Sequence, residues 1–138
     1  MEKSELLEFL TEEDVAFLEA KKWPFTAQLE GDAADKKIAS VILDEFALPD
    51  AYAPQTVRLM VRIPKGYPET SLDMFFTRPW VKLRTTNSDP KNCSGKLQAI
   101  GEEWQQWSRH TAAANWRSNV DRLETYFAAI KTELEKRI

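Results

Sequence analysis

The stretch TVRLMVRIPKGYPETSLDMFFT, residues 56–77, indicates the type of fold more clearly than any other part of the chain. In its first half Arg58 and Arg62 alternate with apolar residues two positions apart: Val57, Leu59, Val61 and Ile63. A period of two is typical of a β-strand with one buried face. PKGYP then predicts a turn, and LDMFFT predicts a further short strand. Two strands joined by so short a connection favour an antiparallel meander.

Two stretches before residue 56 also carry strand patterns. FTAQLEG, residues 25–31, alternates loosely, and KIASVILDEF, residues 37–46, is rich in β-branched residues. ALPDAYAP, residues 47–54, is a loop bounded by prolines. The sequence therefore predicts about four successive strands with short connections.

Helical patterns lie on either side of the strands. Thr11 and Asp14 have the spacing of a capping box, and Pro24 ends the first helix because it excludes the helical conformation from the preceding residue. Ser118 and Asp121 have the same capping-box spacing before a second helix. Apolar residues of this helix recur at intervals of three and four and form one stripe: Val120, Leu123, Phe127, Ile130 and Leu134.

Residues 84–115 carry polar and small residues without a sustained period, which predicts a long structured loop. A loop of more than about 15 residues inside a small domain is unusual and is more often functional than not. The order predicts a single α+β domain over residues 1–138, with an N-terminal helix, a four-stranded antiparallel meander, a long active-site loop, and a C-terminal helix packed on the sheet. A chain of 138 residues is long enough for one such domain and too short for two.

Composition and charge exclude several functional classes. The net charge is −3 without a basic block, so nothing favours binding to nucleic acid or anionic lipid. No apolar run approaches the roughly 20 residues of a membrane helix, and the N-terminus MEKSELLEFL is too acidic for a secretory signal. A single cysteine cannot form an internal disulfide, which favours a cytoplasmic protein with a reduced thiol. One cysteine, one histidine and four glycines provide neither a zinc site nor a phosphate-binding loop, so no metal or cofactor is predicted.

The single cysteine, Cys93, lies in NSDPKNCSGKLQ among polar and turn-forming residues. A cysteine that fills a core has apolar neighbours, whereas Cys93 follows Asn92 and precedes Ser94 and Gly95. A thiol that is reachable and able to ionise is a nucleophile, and nearby amides can favour a thiolate or an oxyanion. An inert loop thiol remains the alternative, because isolated cysteines are common.

The single histidine, His110, follows Cys93 in EEWQQWSRH. Two interpretations stay open: a base or hydrogen-bond donor that faces Cys93, or an imidazole that ties the loop down beside Trp104 and Trp107. The tryptophans favour anchoring of the loop to the core over a stacking surface for a ligand. A pocket for a sugar or a base, lined by Trp104, Trp107 and Trp116, is a separate hypothesis.

With these residues in place, the chain resembles the ubiquitin-conjugating enzyme (UBC) superfamily. A strand ending in VRIPKGYPETSLDMFFT, with Tyr67 and Pro68, is similar to the segment that precedes the catalytic loop of that fold, and Cys93 follows Tyr67 at close to the usual separation. Four stretches resemble, in order, a bacterial branch, the prokaryotic ubiquitin-conjugating-like family E: LTEEDVAFLEAKKWPF, GYPETSLDMFFTRPW, WQQWSRH and NVDRLETYFAAI. The resemblance covers nearly the whole chain, and WQQWSRH is its most specific part.

The sequence departs from the eukaryotic pattern close to the cysteine. The His-Pro-Asn triplet that precedes the cysteine in eukaryotic members is missing, and only Asn87 and Pro90 stand in that stretch, in another order and spacing. The bacterial branch is similar in placing a histidine after the cysteine, where His110 falls.

The resemblance implies a set of site residues. Cys93 would be the nucleophile and His110 an orienting or basic group, while Asn92 or Asn87 would serve as an oxyanion or positioning group. Four residues would shape the turn and the loop: Tyr67, Pro68, Trp104 and Trp107.

The implied reaction is acyl transfer from a ubiquitin-like protein. An activating (ThiF-like) enzyme would adenylate the C-terminus of the ubiquitin-like protein with ATP, Cys93 would accept the acyl group as a thioester, and an acceptor amine would attack the carbonyl. Relatives of this branch are also associated with deubiquitinase-like metalloproteases, which implies a partner of that kind. The alternative is a non-catalytic protein-interaction module of the same fold, in which Cys93 has no chemical role. The reactivity of Cys93 discriminates between the two.

Overall fold

In the computed structural model of the chain, the described residues are 7, 9–21, 25–30, 38–70, 72, 74–91, 93–108, 116–117 and 120–136. Two helices are described, α1 (Glu12–Lys21) and α2 (Leu123–Lys136). Between them the described residues form eight strands: β1 (Phe25–Glu30), β2 (Ile38–Ala47), β3 (Tyr52–Ala53), β4 (Thr56–Pro64), β5 (Met74–Arg78), β6 (Lys82–Leu83), β7 (Cys93–Ala99) and β8 (Glu102–Ser108). The predicted α+β class is confirmed. In this described part of the chain, neither helix has the length and apolar character needed to cross a membrane.

Six of the strands form one antiparallel sheet in the order β1-β2-β4-β5-β8-β7, and the two-residue strands β3 and β6 pair with each other. The first four strands of the large sheet are the predicted antiparallel meander. The prediction that the sheet has four strands is wrong, because β8 pairs with β5 and β7 extends the sheet beyond β8.

The prediction of one long loop over residues 84–115 is wrong for residues 93–108, which form the β7–β8 hairpin. These strands carry few β-branched residues, and their two tryptophans face opposite sides of the sheet, so no simple alternation marks them. A two-residue turn joins the strands at Ile100 and Gly101, whose φ angles are 45° and 76°. A two-residue hairpin turn of type I′ has positive φ at both positions, and isoleucine is not a residue that signals such a turn.

One face of the sheet packs against both helices. The alternation predicted for β4 is confirmed, because its four inward residues are each at most 2% exposed: Val57, Leu59, Val61 and Ile63. The helices contribute a second set of buried residues to the same core: Val15, Leu18, Leu123, Tyr126, Phe127, Ile130 and Leu134. Val120, which the predicted stripe included, precedes α2 and is 50% exposed, so its place in the stripe is wrong.

A β-bulge in β2 keeps this core continuous along the strand. Leu43 pairs with Leu59 and Phe46 pairs with Val57, so β2 has one residue more than β4 between these pairs. In a regular strand without a bulge, Phe46 would face away from the helices, because it stands three positions after Leu43 and side chains alternate along a strand. With the bulge, Phe46 is buried in the helix-side core.

The opposite face of the sheet has a second, smaller apolar cluster, to which the hairpin contributes: Ile42, Met60, Phe76, Ala99 and Trp104. The indole N–H of Trp104 donates to Ala99 O at 3.3 Å, and the Arg58 guanidinium lies 5.3 Å from the ring centroid. The hairpin is therefore fixed on both faces, by Trp104 on this side and by Trp107 on the helix side.

A cluster of hydrogen bonds joins the N-terminal ends of the two helices. The predicted capping box of α1 is confirmed, since Thr11 N–H donates to Asp14 Oδ2 at 3.0 Å and Asp14 N–H donates to Thr11 Oγ1 at 3.1 Å. Asp14 Oδ1 also accepts from the N–H of Leu123, the first residue of α2, at 3.1 Å. The Tyr67 hydroxyl donates to Asp14 Oδ2 and accepts from Leu123 N–H, both at 2.8 Å. The turn at Tyr67 thereby holds both helix ends.

The start of α2 differs from the predicted capping box. The helix begins at Leu123, and the Asp121 carboxylate accepts from the N–H of Arg117 at 2.7 Å and from its guanidinium at 3.2 Å. Ser118, the other half of the predicted box, lies outside the described residues. Burial raises the pKa of Asp121, but the hydrogen bonds from Arg117 outweigh burial and hold that pKa below its ordinary value.

Replacing Tyr67 with phenylalanine is expected to lower the free energy of unfolding by about 2 kcal/mol at neutral pH, because the buried Asp14 carboxylate and Leu123 N–H each lose a hydrogen-bond partner. Burial raises the pKa of Tyr67 above its ordinary value of 10.0, and the Asp14 carboxylate raises it further. The folded phenol therefore stays protonated where the unfolded phenol ionises. Its contribution is complete below pH 10.0 and is lost as the pH rises above that value.

Urea unfolding of the wild type and of Tyr67→Phe, at about pH 8 and about pH 11, measures this contribution. The difference between the two proteins should be smaller at the higher pH. An undiminished difference would show that the Tyr67 phenol does not titrate with unfolding.

Candidate functional site

Cys93 is the first residue of β7 rather than part of a long loop, which corrects the predicted setting of the thiol. A turn directly precedes the strand, and it is closed by a hydrogen bond from Cys93 N–H to Pro90 O at 3.1 Å. In the sheet Cys93 pairs with Trp107 of β8. Cys93 is half-buried. The residue is thus held by strand pairing and still has exposed surface.

A bulge directly after Cys93 shapes the entry to the strand. Cys93 pairs with Trp107 and Gly95 pairs with Gln106, so Ser94 is an extra residue on β7. Gly95 has a φ of 136°, which residues with a side chain rarely adopt, although a Cβ there would meet nothing within 4 Å. The glycine is therefore needed for its conformation rather than for space. Bulges of this kind bend a strand and re-aim the neighbouring side chain, here that of Cys93.

In the part of the chain that the structure describes, the side chain of Gln105 of β8 reaches the sulfur. It is 1% exposed, and its amide uses all four of its hydrogen-bonding positions. Oε1 accepts from Val81 N–H at 2.6 Å and from Thr77 Oγ1 at 3.2 Å. Nε2 donates to Val81 O at 2.9 Å and to Cys93 Sγ at 3.5 Å. A fully buried amide thus gives the thiol a hydrogen-bond donor.

Trp107 supports this arrangement from the core. Its ring stacks on Phe75 with the centroids 5.3 Å apart. Its indole N–H donates to Thr77 Oγ1 at 2.9 Å, and the Thr77 hydroxyl donates in turn to Gln105 Oε1. A chain of hydrogen bonds therefore runs from Trp107 through Thr77 and Gln105 to Cys93.

No sequence-based prediction above includes Gln105. A glutamine is most often a solvated residue, and the local pattern does not reveal which face of β8 it occupies. One signal exists in the sequence: Gln105 stands two positions before Trp107. Any strand that buries Trp107 must point Gln105 to the same face.

The three tryptophans do not line one ligand pocket. Trp104 and Trp107 are at most 1% exposed and belong to the two opposite faces of the sheet. Trp116 packs against the turn at Tyr67, and its indole N–H donates to Pro68 O at 2.7 Å. Since buried rings cannot stack on a ligand, the hypothesis of a sugar or base pocket is wrong.

The asparagines and the histidine of the predicted site are not brought to the sulfur by any described contact. Asn87 lies in an exposed turn, where its N–H donates to Leu83 O at 2.8 Å and its φ of 55° is one that asparagine tolerates. Among the described residues, its side-chain amide has no hydrogen-bond partner. Asn92 and His110 lie outside the described residues, so the roles predicted for them stay predictions.

A cleft of about 450 Å³ opens at the end of the sheet next to Gln105. The buried residues Gln105 and Thr77 line it together with the partly exposed Arg58 and Arg78. Both arginines are ion-paired with Glu102, at 2.8 Å and 3.4 Å. Within the described ranges, no three His, Cys, Asp or Glu residues are grouped so that they could hold a metal ion. Arg58 also pairs with Asp44 at 3.6 Å, so the cleft offers space beside the amide and two carboxylates compensate the charges of its two arginines.

Comparison with known proteins identifies the class of the chain. Residues 10–137 match the sequence model of a family of prokaryotic E2-like, that is ubiquitin-conjugating-like, proteins. The chain belongs to this family, which is described as Prokaryotic E2 family E, and the resemblance inferred from the sequence is confirmed. Membership implies a ubiquitin-like protein as partner. No curated protein and no solved structure gives a significant match.

Proposed function

We propose that this protein is a ubiquitin-conjugating-like enzyme that accepts a ubiquitin-like protein as a thioester on Cys93 and transfers it to an acceptor amine. One observation carries the proposal. The only cysteine of an E2-family chain is half-buried at the start of a strand, with a buried amide donating to its sulfur. A cysteine that merely filled the core would have no surface open to an acyl donor.

The reaction has two steps at the same sulfur. In the first, the Cys93 thiolate attacks the C-terminal carbonyl of the ubiquitin-like protein, which an activating (ThiF-like) enzyme has activated with ATP; the C–S bond forms and the donor's leaving group departs. In the second, an amine attacks the thioester carbonyl, the C–N bond forms, and the C–S bond breaks with its electron pair going to sulfur. The amine proton passes to a base, for which we propose His110, and Asn92 or Asn87 is proposed to position the thioester or its oxyanion.

The chemistry implies partners and a compartment. The activating enzyme supplies the acyl group, and a deubiquitinase-like metalloprotease is proposed as a partner that reverses the modification. The thiol must be kept reduced between turnovers, for which the cytoplasm is the proposed location.

Intact-mass measurement tests the proposal most simply. The protein is mixed with a ubiquitin-like protein and an activating enzyme from the same organism, with and without ATP. We expect an ATP-dependent adduct with the mass of the two chains less one water, which a thiol reagent removes and which Cys93→Ala does not form. If the partners form their own thioester and this chain stays unmodified, the protein is a non-catalytic interaction module.

A further inference from the structure

We infer that Gln105 is the positioning residue for Cys93, holding the sulfur and donating a hydrogen bond to it throughout acyl transfer. This inference rests on the proposed function for its reaction, although its test does not need the ubiquitin-like protein. The contact that supports it is the one between Gln105 Nε2 and Cys93 Sγ, at 3.5 Å.

The orientation of the Gln105 amide is fixed by its surroundings. Val81 N–H can only donate and Val81 O can only accept, so Oε1 must face the first and Nε2 the second, at 2.6 Å and 2.9 Å. A flipped amide would oppose donor to donor and acceptor to acceptor. Of the two hydrogens on Nε2, one is therefore committed to Val81, and the other is left for Cys93 Sγ.

The two hydrogen bonds that lead from Trp107 through Thr77 to Gln105 both donate toward the amide. The Trp107 indole can only donate, so Thr77 Oγ1 accepts from it and directs its own hydrogen to Gln105 Oε1. Donation into Oε1 polarises the amide and strengthens the N–H that Nε2 offers to Cys93. Trp107, Thr77 and Gln105 are each at most 1% exposed, so solvent does not compete for the hydrogen bonds that lead to the Gln105 amide.

A donor of this kind acts where charge appears on sulfur. The sulfur carries negative charge as a thiolate before attack, and again when the C–S bond breaks and the electron pair returns to it. A hydrogen bond to a charged acceptor is stronger than one to a neutral acceptor, so the Gln105 amide favours both forms over the neutral thiol. Gln105 does not accept the proton, because an amide is not a base in this range of pH. It acts only through Cys93.

The neighbouring residue provides a matched control. Gln105 and Gln106 are chemically identical and adjacent on β8, but their side chains point to opposite faces of the sheet. Gln106 is only half-buried and pairs with Phe76 and Gly95 rather than with Thr77. Methionine has nearly the shape of glutamine without its donors, so Gln105→Met and Gln106→Met remove equivalent groups from the two faces.

The experiment measures how fast iodoacetamide alkylates Cys93 over a range of pH, with intact mass as the readout. We expect Gln105→Met to slow alkylation near neutral pH by about tenfold and to move the pH profile to higher pH, because the thiolate loses a charge-assisted hydrogen bond. Gln106→Met should stay within about twofold of the wild type. A purely structural role for Gln105 would change the thermal midpoint without moving the pH profile. Profiles of the two variants that coincide with that of the wild type would overturn the inference.

A second measurement decides the question if Gln105→Met does not fold. In isotope-labelled wild-type protein, alkylation of Cys93 should shift the side-chain N–H resonances of Gln105 and leave those of Gln106 in place. Unchanged Gln105 resonances would overturn the inference. Because neither measurement uses an activating enzyme, a protein that forms no thioester can still show the Gln105 effect, and the two failures remain distinct.

Discussion

Replacing Trp107 with alanine is expected to lower the free energy of unfolding by about 4 kcal/mol, because it removes a large ring from a close-packed core. Trp107 is 1% exposed, stacks on Phe75 with the ring centroids 5.3 Å apart, and makes a T-shaped contact with Tyr52 with the centroids 6.1 Å apart. Its indole also satisfies the buried hydroxyl of Thr77, which the substitution leaves with one partner fewer. Urea unfolding followed by circular dichroism measures the loss.

Trp80 is the matched control for this prediction. It is partly exposed, and its indole N–H donates to Asp89 at 2.8 Å in an exposed hydrogen bond. Trp80→Ala should therefore cost only about 1 kcal/mol. If the two alanine variants lost the same stability, Trp107 would not be the anchor of the β7–β8 hairpin.

Replacing Asp14 with alanine is expected to cost about 4 kcal/mol, because one buried carboxylate serves three donors from three parts of the chain. Asp14 is 1% exposed and accepts from Thr11 N–H, Leu123 N–H and the Tyr67 hydroxyl. In the alanine variant Thr11 N–H, just before α1, and Leu123 N–H, the first of α2, both lose this acceptor, and the hydrogen bond that joins Asp14 of α1 directly to α2 is lost.

The control for Asp14 is Glu13, the preceding residue of the same helix turn. Glu13 is exposed, so Glu13→Ala removes a negative charge near the N-terminus of α1 without removing a buried acceptor. Its cost should stay below about 1 kcal/mol. Thermal unfolding of both variants measures the contrast. Equal midpoints would mean that the Asp14 cluster does not hold the helix ends together.

The parts of the fold that were predicted correctly show a regular spacing of residues within a short stretch of sequence. The alternation of Val57, Leu59, Val61 and Ile63 marks β4 because polar or arginine side chains occupy most of the other face. The capping box of Thr11 and Asp14 can also be recognised from the sequence, since it depends on residues three positions apart in the chain. In both cases the deciding pattern is local in sequence.

The parts that were missed depend on contacts between distant residues. The β7–β8 hairpin buries Trp104 on one face and Trp107 on the other, so its sequence lacks a period of two. The later start of α2 depends on Asp14 and Tyr67, which accept the Leu123 N–H from other parts of the chain. No pattern within residues 118–123 contains that information.

The candidate site divides in the same way. Cys93 stands out in the sequence because it is the only thiol and has polar neighbours. Gln105 does not stand out, because its importance comes from Val81, Thr77 and Cys93, which meet it only after β8 has paired with β5 and β7. A buried polar side chain that uses all its hydrogen bonds is recognised from the fold, not from the sequence.

The pairing of β7 with β8 has a consequence for the proposed reaction. Cys93 faces Trp107 across the strands, and Gln105 lies two residues from Trp107 on the same face. The anchor of the hairpin and the donor to the sulfur are thus fixed by one strand. Trp107→Ala should therefore slow the alkylation of Cys93, in addition to lowering the free energy of unfolding.

We propose that the sulfur of Cys93 carries the acyl group, and the variant Cys93→Ser is the sharpest test of this role. With an activating enzyme, a ubiquitin-like protein and ATP, a serine hydroxyl at the same place would form an oxygen ester in place of the thioester. We predict a one-to-one adduct, again formed with loss of one water, that resists added free thiol and is removed by mild alkali, whereas free thiol removes the wild-type adduct. An adduct of Cys93→Ser that free thiol still cleaves, or a wild-type adduct that survives free thiol, would show that the acyl group is carried by another residue.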